Sequence, residues 1–127
     1  MKEIMAISAG GMIGALTRYY AGGLVQKLFR SEFFPYGTLI VNLSGCFFIG
    51  LVMETSLLKP GFPQNLRLFL VTGFTGAYTT FSTFEYETLR LMNAGNYKMA
   101  VFNILASNIF GLAAVVAGVY TAKILKA

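Results

Sequence analysis

The chain has 127 residues, 56% of them hydrophobic and only 12% charged, where a soluble domain carries about a quarter. It has no Asp, His or Trp and a single cysteine, Cys46. This excludes an internal disulfide, a Cys–His metal site and the usual His- or Cys-based catalysis, so an enzyme is not expected. The net charge of +5 is scattered, without the basic run that marks nucleic-acid binding.

The opening Met1-Lys2-Glu3-Ile4 precedes a long glycine-rich apolar stretch with no clear cleavage site, so residue 1 is expected to stay in the mature protein. Four apolar segments follow, at residues 4–28, 36–58, 66–92 and 99–125, each reaching the roughly 20 residues that a membrane-spanning helix needs. Short connections with turn chemistry separate them: Arg30–Pro35, Lys59–Pro63 and Asn93–Asn96. The expected architecture is a single all-α membrane domain, residues 1–127, embedded in a lipid bilayer. With four spans both termini share a side, which collects Lys2, Lys59, Arg67, Lys123 and Lys126; the other collects Lys27, Arg30, Arg90 and Lys98. That near balance gives almost no orientation bias: either one marginal charge decides a single topology, or the chain inserts both ways up. It then permits an antiparallel dimer of the kind that inverted repeats mimic in larger transporters.

In the first segment Gly10, Gly14 and Arg18 recur at four-residue spacing and so lie along one side of a helix. The glycines suit close helix packing. Arg18 inside a span either faces protein or a watery cavity, or snorkels to the interface. In the second segment Thr38, Asn42 and Gly45 lie together, with Cys46 beside them. Asn42, set in Leu-Ile-Val-Asn-Leu, is either an interhelical hydrogen-bonding group or a pore-lining donor.

The third segment carries the strongest signal. Between Gly73 and Phe84 it holds two glycines and five Ser or Thr hydroxyls, where a plain lipid-spanning helix would hold Leu, Ile and Val. Glycines and hydroxyls at membrane depth predict a third helix broken near the midplane, with unpaired carbonyls able to meet a small cation. Phe81 and Phe84 are three apart and therefore neighbours; they either pack or line a path, where their ring edges would attract an anion. Glu87, three residues on, marks either a vestibule or a solvated end. In the fourth segment Asn103, Ser107 and Gly111 form a short polar stripe, which either glues helices or lines a path, and Asn108 points away from it.

Three of these stretches together resemble the Fluc/CrcB family of fluoride channels. Gly10-Gly11-Met12-Ile13-Gly14-Ala15-Leu16-Thr17-Arg18-Tyr19 resembles the opening motif, Gly37-Thr38-Leu39-Ile40-Val41-Asn42-Leu43-Ser44-Gly45-Cys46 the second-helix motif, and Gly73 through Phe84 the third-helix motif. The resemblance spans nearly the whole chain, in order. It implies an antiparallel, dual-topology homodimer in the cell inner membrane, with two fluoride pores and a central structural Na⁺. By motif position it makes Asn42 the pore amide and Phe81 and Phe84 the aromatic pair facing fluoride. Thr80, Ser82, Thr83 and Ser107 become hydroxyls along the path, and Arg18 and Glu87 vestibule groups. Gly76 and Thr79 become the main-chain carbonyl donors to Na⁺. Asn103 stands where many members carry Tyr, Gly111 where some carry Ser, and Ala77 where Gly is frequent. The expected function is passive fluoride export that relieves fluoride toxicity. The alternatives are a small multidrug exporter, which needs a membrane-embedded carboxylate and finds only Glu3, Glu54, Glu85 and Glu87 at or near segment ends, and a non-transporting membrane scaffold.

Overall fold

The computed structural model describes residues 1–126, and among them every regular element is helical. Helix α1 (Lys2–Phe29) is followed by α2 (Tyr36–Leu58). The third segment is composite: a single α-turn, α3 (Gln64–Arg67), runs into a π-helical stretch (Leu68–Thr75) and a short α4 (Gly76–Tyr78). Thr79 and Thr80 are both extended, and α5 (Phe81–Asn93) starts beyond them. The last helix, α6 (Tyr97–Lys126), has 30 residues.

Two of these helices, α2 and residues 97–125 of α6, are long and apolar enough to cross a membrane, with mean hydropathies of 1.7 and 2.0 over their best windows. Only 33% and 22% of those windows are buried within the chain. A soluble core helix of that composition would be mostly covered, whereas a helix that meets lipid leaves its apolar side chains outward. Leu24, Phe110, Leu112 and Ile124 are among the many large apolar residues left exposed.

The helices approach at their small residues. α2 packs most extensively on α6, where Gly50 lies against the Val115 backbone and Gly118 against the Phe47 backbone. The next largest pairing sets α1 on the π-helical stretch. There a Cβ on Gly10 would meet Phe69 O, one on Gly14 would meet Phe74 O, and one on Gly73 would lie 2.6 Å from Ile7 O. The residues that meet these positions are backbone atoms, which cannot swing aside. A separate apolar cluster of Phe34, Leu39, Leu91, Ala100 and Ala106 joins the α1–α2 connection to α2, α5 and α6. Phe34 anchors it through ring contacts to Tyr36 at 4.7 Å and Phe102 at 5.4 Å.

The glycines of the third segment do not interrupt it. Gly73 is buried inside the π-helical stretch, and Gly76 is helical at φ −61°, ψ −33°. The chain leaves the helix three residues later, at Thr79 (φ −82°, ψ 159°). Gly73 is needed for its close approach to α1 rather than for a bend. Helix α1 ends at Arg30, whose left-handed φ of 47° turns the chain into the connection.

Gly14→Ala therefore should overpack the α1 contact at a cost of about 1–3 kcal/mol and lower the thermal midpoint of the purified protein. Gly23→Ala, with nothing within 4 Å of its Cβ position, should leave that midpoint essentially unchanged. Equal midpoints for the two variants would count against this packing.

Candidate functional site

The extended pair Thr79-Thr80 is the centre of the site. In a continuous α-helix the Thr80 and Thr83 amides would donate to Gly76 O and Thr79 O. Here the Thr80 N–H donates instead to Asn42 Oδ1 at 2.8 Å, and the Thr83 N–H to Thr80 Oγ1 at 3.3 Å. Asn42 Nδ2 completes a two-point clasp by donating to Thr80 O at 3.0 Å. Thr80 thereby becomes the N-cap of α5, with the β-region backbone and side-chain acceptor that such a cap requires. Gly76 O and Thr79 O are released from the helical ladder.

Arg18 reaches this break from α1: its Nη1 donates to Thr79 O at 3.3 Å, so its guanidinium turns into the protein. Thr79 Oγ1 donates to Thr75 O at 2.9 Å, and the buried Thr75 Oγ1 donates to Leu70 O, five residues back, at 2.7 Å.

An open cavity of about 580 Å³ lies beside the break. Its polar wall takes in Arg18, Thr38, Thr80, Thr83, Glu87 and Arg90. Thr38 Oγ1 donates to Glu87 Oε1 at 2.9 Å and so links α2 to α5; Glu87 Oε2 is buried without a hydrogen-bond partner. Thr80 Oγ1 donates to Thr83 Oγ1 at 2.9 Å and lies 3.5 Å from Ser82 Oγ. Of the residues singled out from the sequence, Arg18, Thr38, Thr80, Thr83 and Glu87 line the cavity, and Asn42 and Ser82 bond to Thr80 in its wall.

The aromatic pair divides. The Phe81 and Phe84 rings are neighbours, with centroids 5.7 Å apart and planes inclined by 41°. Phe84 is 6% exposed, whereas Phe81 is 74% exposed and reaches away from the rest of the chain. Ser107 lies outside the cavity wall, and its buried Oγ has no partner. The members of the α6 stripe have different surroundings. Asn103 is buried and donates through Nδ2 to Thr88 Oγ1 at 2.8 Å, while Thr88 donates to Phe84 O at 2.8 Å. The C-terminal member, Gly111, faces Cys46 Sγ, which would lie 3.6 Å from a Cβ there. Asn108 is exposed and donates back to Ile104 O.

Three of the five carboxylates have polar partners. Glu54 on α2 meets Lys123 Nζ on α6 at 3.8 Å, Glu3 accepts from Gln64, and Glu87 accepts from Thr38. Among the described residues no three His, Cys, Asp or Glu side chains come together as a metal site.

Two polar arrangements were not read from the sequence. Ser44 Oγ and Tyr78 Oη share a hydrogen bond at 2.8 Å, and the Tyr78 ring stacks on Phe74 at 5.5 Å. Gln26 donates to Ser31 O and Phe34 O, and accepts from the Gly37 N–H. Gln26 stands two four-residue steps beyond Arg18, and extending the Gly10–Gly14–Arg18 spacing would have found it.

Residues 5–119 match the family model described as CrcB-like protein, Camphor Resistance (CrcB). A protein called fluoride-specific ion channel FluC from Dehalococcoides mccartyi strain CBDB1 is 45% identical over 126 residues, covering 99% of this chain and 96% of that one. A protein of the same name from Geobacter metallireducens is 48% identical over 123 residues, covering 97% and 98%. Another from Pelobacter propionicus is 46% identical over 125 residues, covering 98% and 96%.

The Asn103–Thr88 bond should behave as a buried tie. Thr88→Val strands the Asn103 amide and should cost about 1–3 kcal/mol, more than Asn103→Leu. The double variant Thr88→Val/Asn103→Leu should cost less than the sum, as a double-mutant cycle on thermal midpoints would register. Strict additivity would mean that the two side chains do not interact.

Proposed function

The chain belongs to the CrcB family, whose curated relatives are named as ion channels and not as enzymes, and from that premise we propose that it passes fluoride down its gradient across the cell inner membrane, relieving fluoride toxicity. The observation that carries this reading is a helix interruption held by neutral groups beside an arginine-bearing cavity. Fluoride is small, strongly hydrated and an avid acceptor, so a path must replace its water without holding it too tightly. The donors for this exchange have hydrogens to spare. Each Asn side chain has two N–H groups, and Asn42 gives one to Thr80 O. Thr83 Oγ1 accepts from Thr80, and its own hydrogen remains free to turn toward an ion. Ser107 holds a buried hydroxyl without a partner.

Arg18 draws anions into the cavity as a fixed positive charge, and Glu87, tied to Thr38, borders the same space. Thr80 and Ser82 supply the adjoining hydroxyls. Phe81 and Phe84 contribute ring edges, whose partial positive charge attracts an anion without the depth of a full charge. A lysine there would make a deeper well and slow release.

The same reading has two copies crossing antiparallel, each with its own path, the third helix of each broken near the membrane midplane. The exposed Phe81, the lightly buried α2 and α6, and the balanced loop charges support it. Gly76 and Thr79 would hold a central Na⁺ through their main-chain oxygens. Both carbonyls have lost their helical donors, and hard oxygen ligands suit such an ion. Thr79 O already accepts from Arg18, and its second lone pair remains available. When bound, Na⁺ would tie the two interruptions together and bias the local field toward anions.

Wild-type protein in liposomes should release trapped fluoride, read by a fluoride electrode, and Asn42→Asp should abolish that release. The variant exchanges a donor for an anion and loses the clasp to Thr80 O. Unchanged efflux from Asn42→Asp would remove Asn42 from the path, and drug–proton exchange without fluoride efflux in the wild type would point to an exporter instead. Tags at both termini should be found on both membrane faces; a single orientation would rule out the antiparallel pair.

A further inference from the structure

We propose that Gln26 is a positioning residue of the ion path, which locks the outer wall of the cavity and the first turn of α2 onto α1. The path itself rests on the fluoride reading above; the placement of Gln26 does not.

The Gln26 carboxamide makes three of the four hydrogen bonds open to it. Nε2 donates to Ser31 O at 2.6 Å and Phe34 O at 3.0 Å, and Oε1 accepts from the Gly37 N–H at 3.0 Å. The first two bonds hold the connection between α1 and α2, whose Glu32, Phe33, Phe34 and Pro35 wall the cavity. The third satisfies a donor in the first turn of α2. A helix start leaves such amides without an internal partner, and the N-cap residue here is Pro35, whose side chain cannot accept. The cap is therefore supplied by a neighbouring helix.

The crossing beneath it admits little movement. A Cβ on Gly37 would strike Gly22 O, so the two backbones already touch one turn before Gln26. Steric contact sets how near α2 comes, and the Gln26 bonds set its register along α1. Thr38 follows Gly37 directly and donates to Glu87. Asn42 follows one turn later and clasps Thr80. Arg18, two turns back along α1, donates to Thr79 O. Gln26 thus fixes the offset between the cationic and neutral groups that approach the break from two different helices.

The full-length protein in lipid nanodiscs can be followed by amide hydrogen exchange, with fluoride flux measured in parallel in liposomes. Gln26→Leu keeps the bulk but removes all three bonds. It should speed exchange at Gly37 at least about tenfold and raise the half-saturating fluoride concentration by a similar factor. Gln26→Glu keeps the acceptor and loses both donors. It should leave Gly37 slow, speed Phe34 and Tyr36, and shift fluoride half-saturation less than Gln26→Leu does. The glutamate variant carries the test if the leucine variant does not fold. Wild-type exchange rates in both variants would overturn the proposal. So would fast Gly37 exchange with an unchanged half-saturating concentration, because Gln26 would then be a brace with no hold on the path. A wild type that passes no fluoride would overturn the channel reading, and is distinguishable because exchange is read without fluoride.

Discussion

A peptide group at a helix interruption loses its ladder partners, and the clasp between Asn42 and Thr80 answers that constraint. An interrupted helix strands amides and carbonyls at the interruption. One carboxamide, offering a donor and an acceptor side by side, occupies both the N–H and the C=O of Thr80. Thr80 in turn accepts the Thr83 amide with its hydroxyl. The Thr80 and Thr83 amides are thereby satisfied, while Gly76 O and Thr79 O lose the helical donors they would otherwise hold. Without the clasp, continuing the helix would close those carbonyls again.

The π-helical stretch and the glycine contacts are consequences of placing that break. A π-helix shifts the phase of the residues beyond it relative to an α-helix of the same length. The stretch ends at Thr75, whose hydroxyl closes on Leu70 O. Backbone-to-backbone contact between α1 and this stretch, at Gly10, Gly14 and Gly73, brings Arg18 within reach of Thr79. Small residues here set a distance that a functional side chain then spans.

Features that depend on one segment were legible in the sequence. The Gly–Gly–Arg spacing of α1, the isolated Asn42 and the crowd of hydroxyls between 73 and 84 all point to the region where the site forms. Features that depend on a partner were not. The glycines of that region look like the breakers, yet Thr79 and Thr80 leave the helix because Asn42, 38 residues away, captures the Thr80 backbone. Asn103 reads as a member of a stripe that either glues helices or lines a path; its bond to Thr88 on α5 makes it an interhelical tie, with a partner that the sequence did not name. Phe81 and Phe84 are neighbours as their spacing dictates, while their opposite burial depends on what packs against α5. Periodicity assigns residues to a face; it does not say which neighbour that face will meet.

The polar and glycine positions of α1 run Gly10, Gly14, Arg18, Gly22, Gln26 at steps of four. Because four residues overshoot one turn, this row winds gradually about the helix. Its early members meet the π-helical stretch, and its later ones meet α2 and the connection. A single inserted or deleted residue within the row would rotate everything beyond it by about 100°. Downstream of Gly14 such a change would withdraw Arg18, Gly22 and Gln26 together. Helix α1 can therefore drift in composition on its lipid side, but its length between Gly10 and Gln26 is a fixed measure on which the other segments are registered.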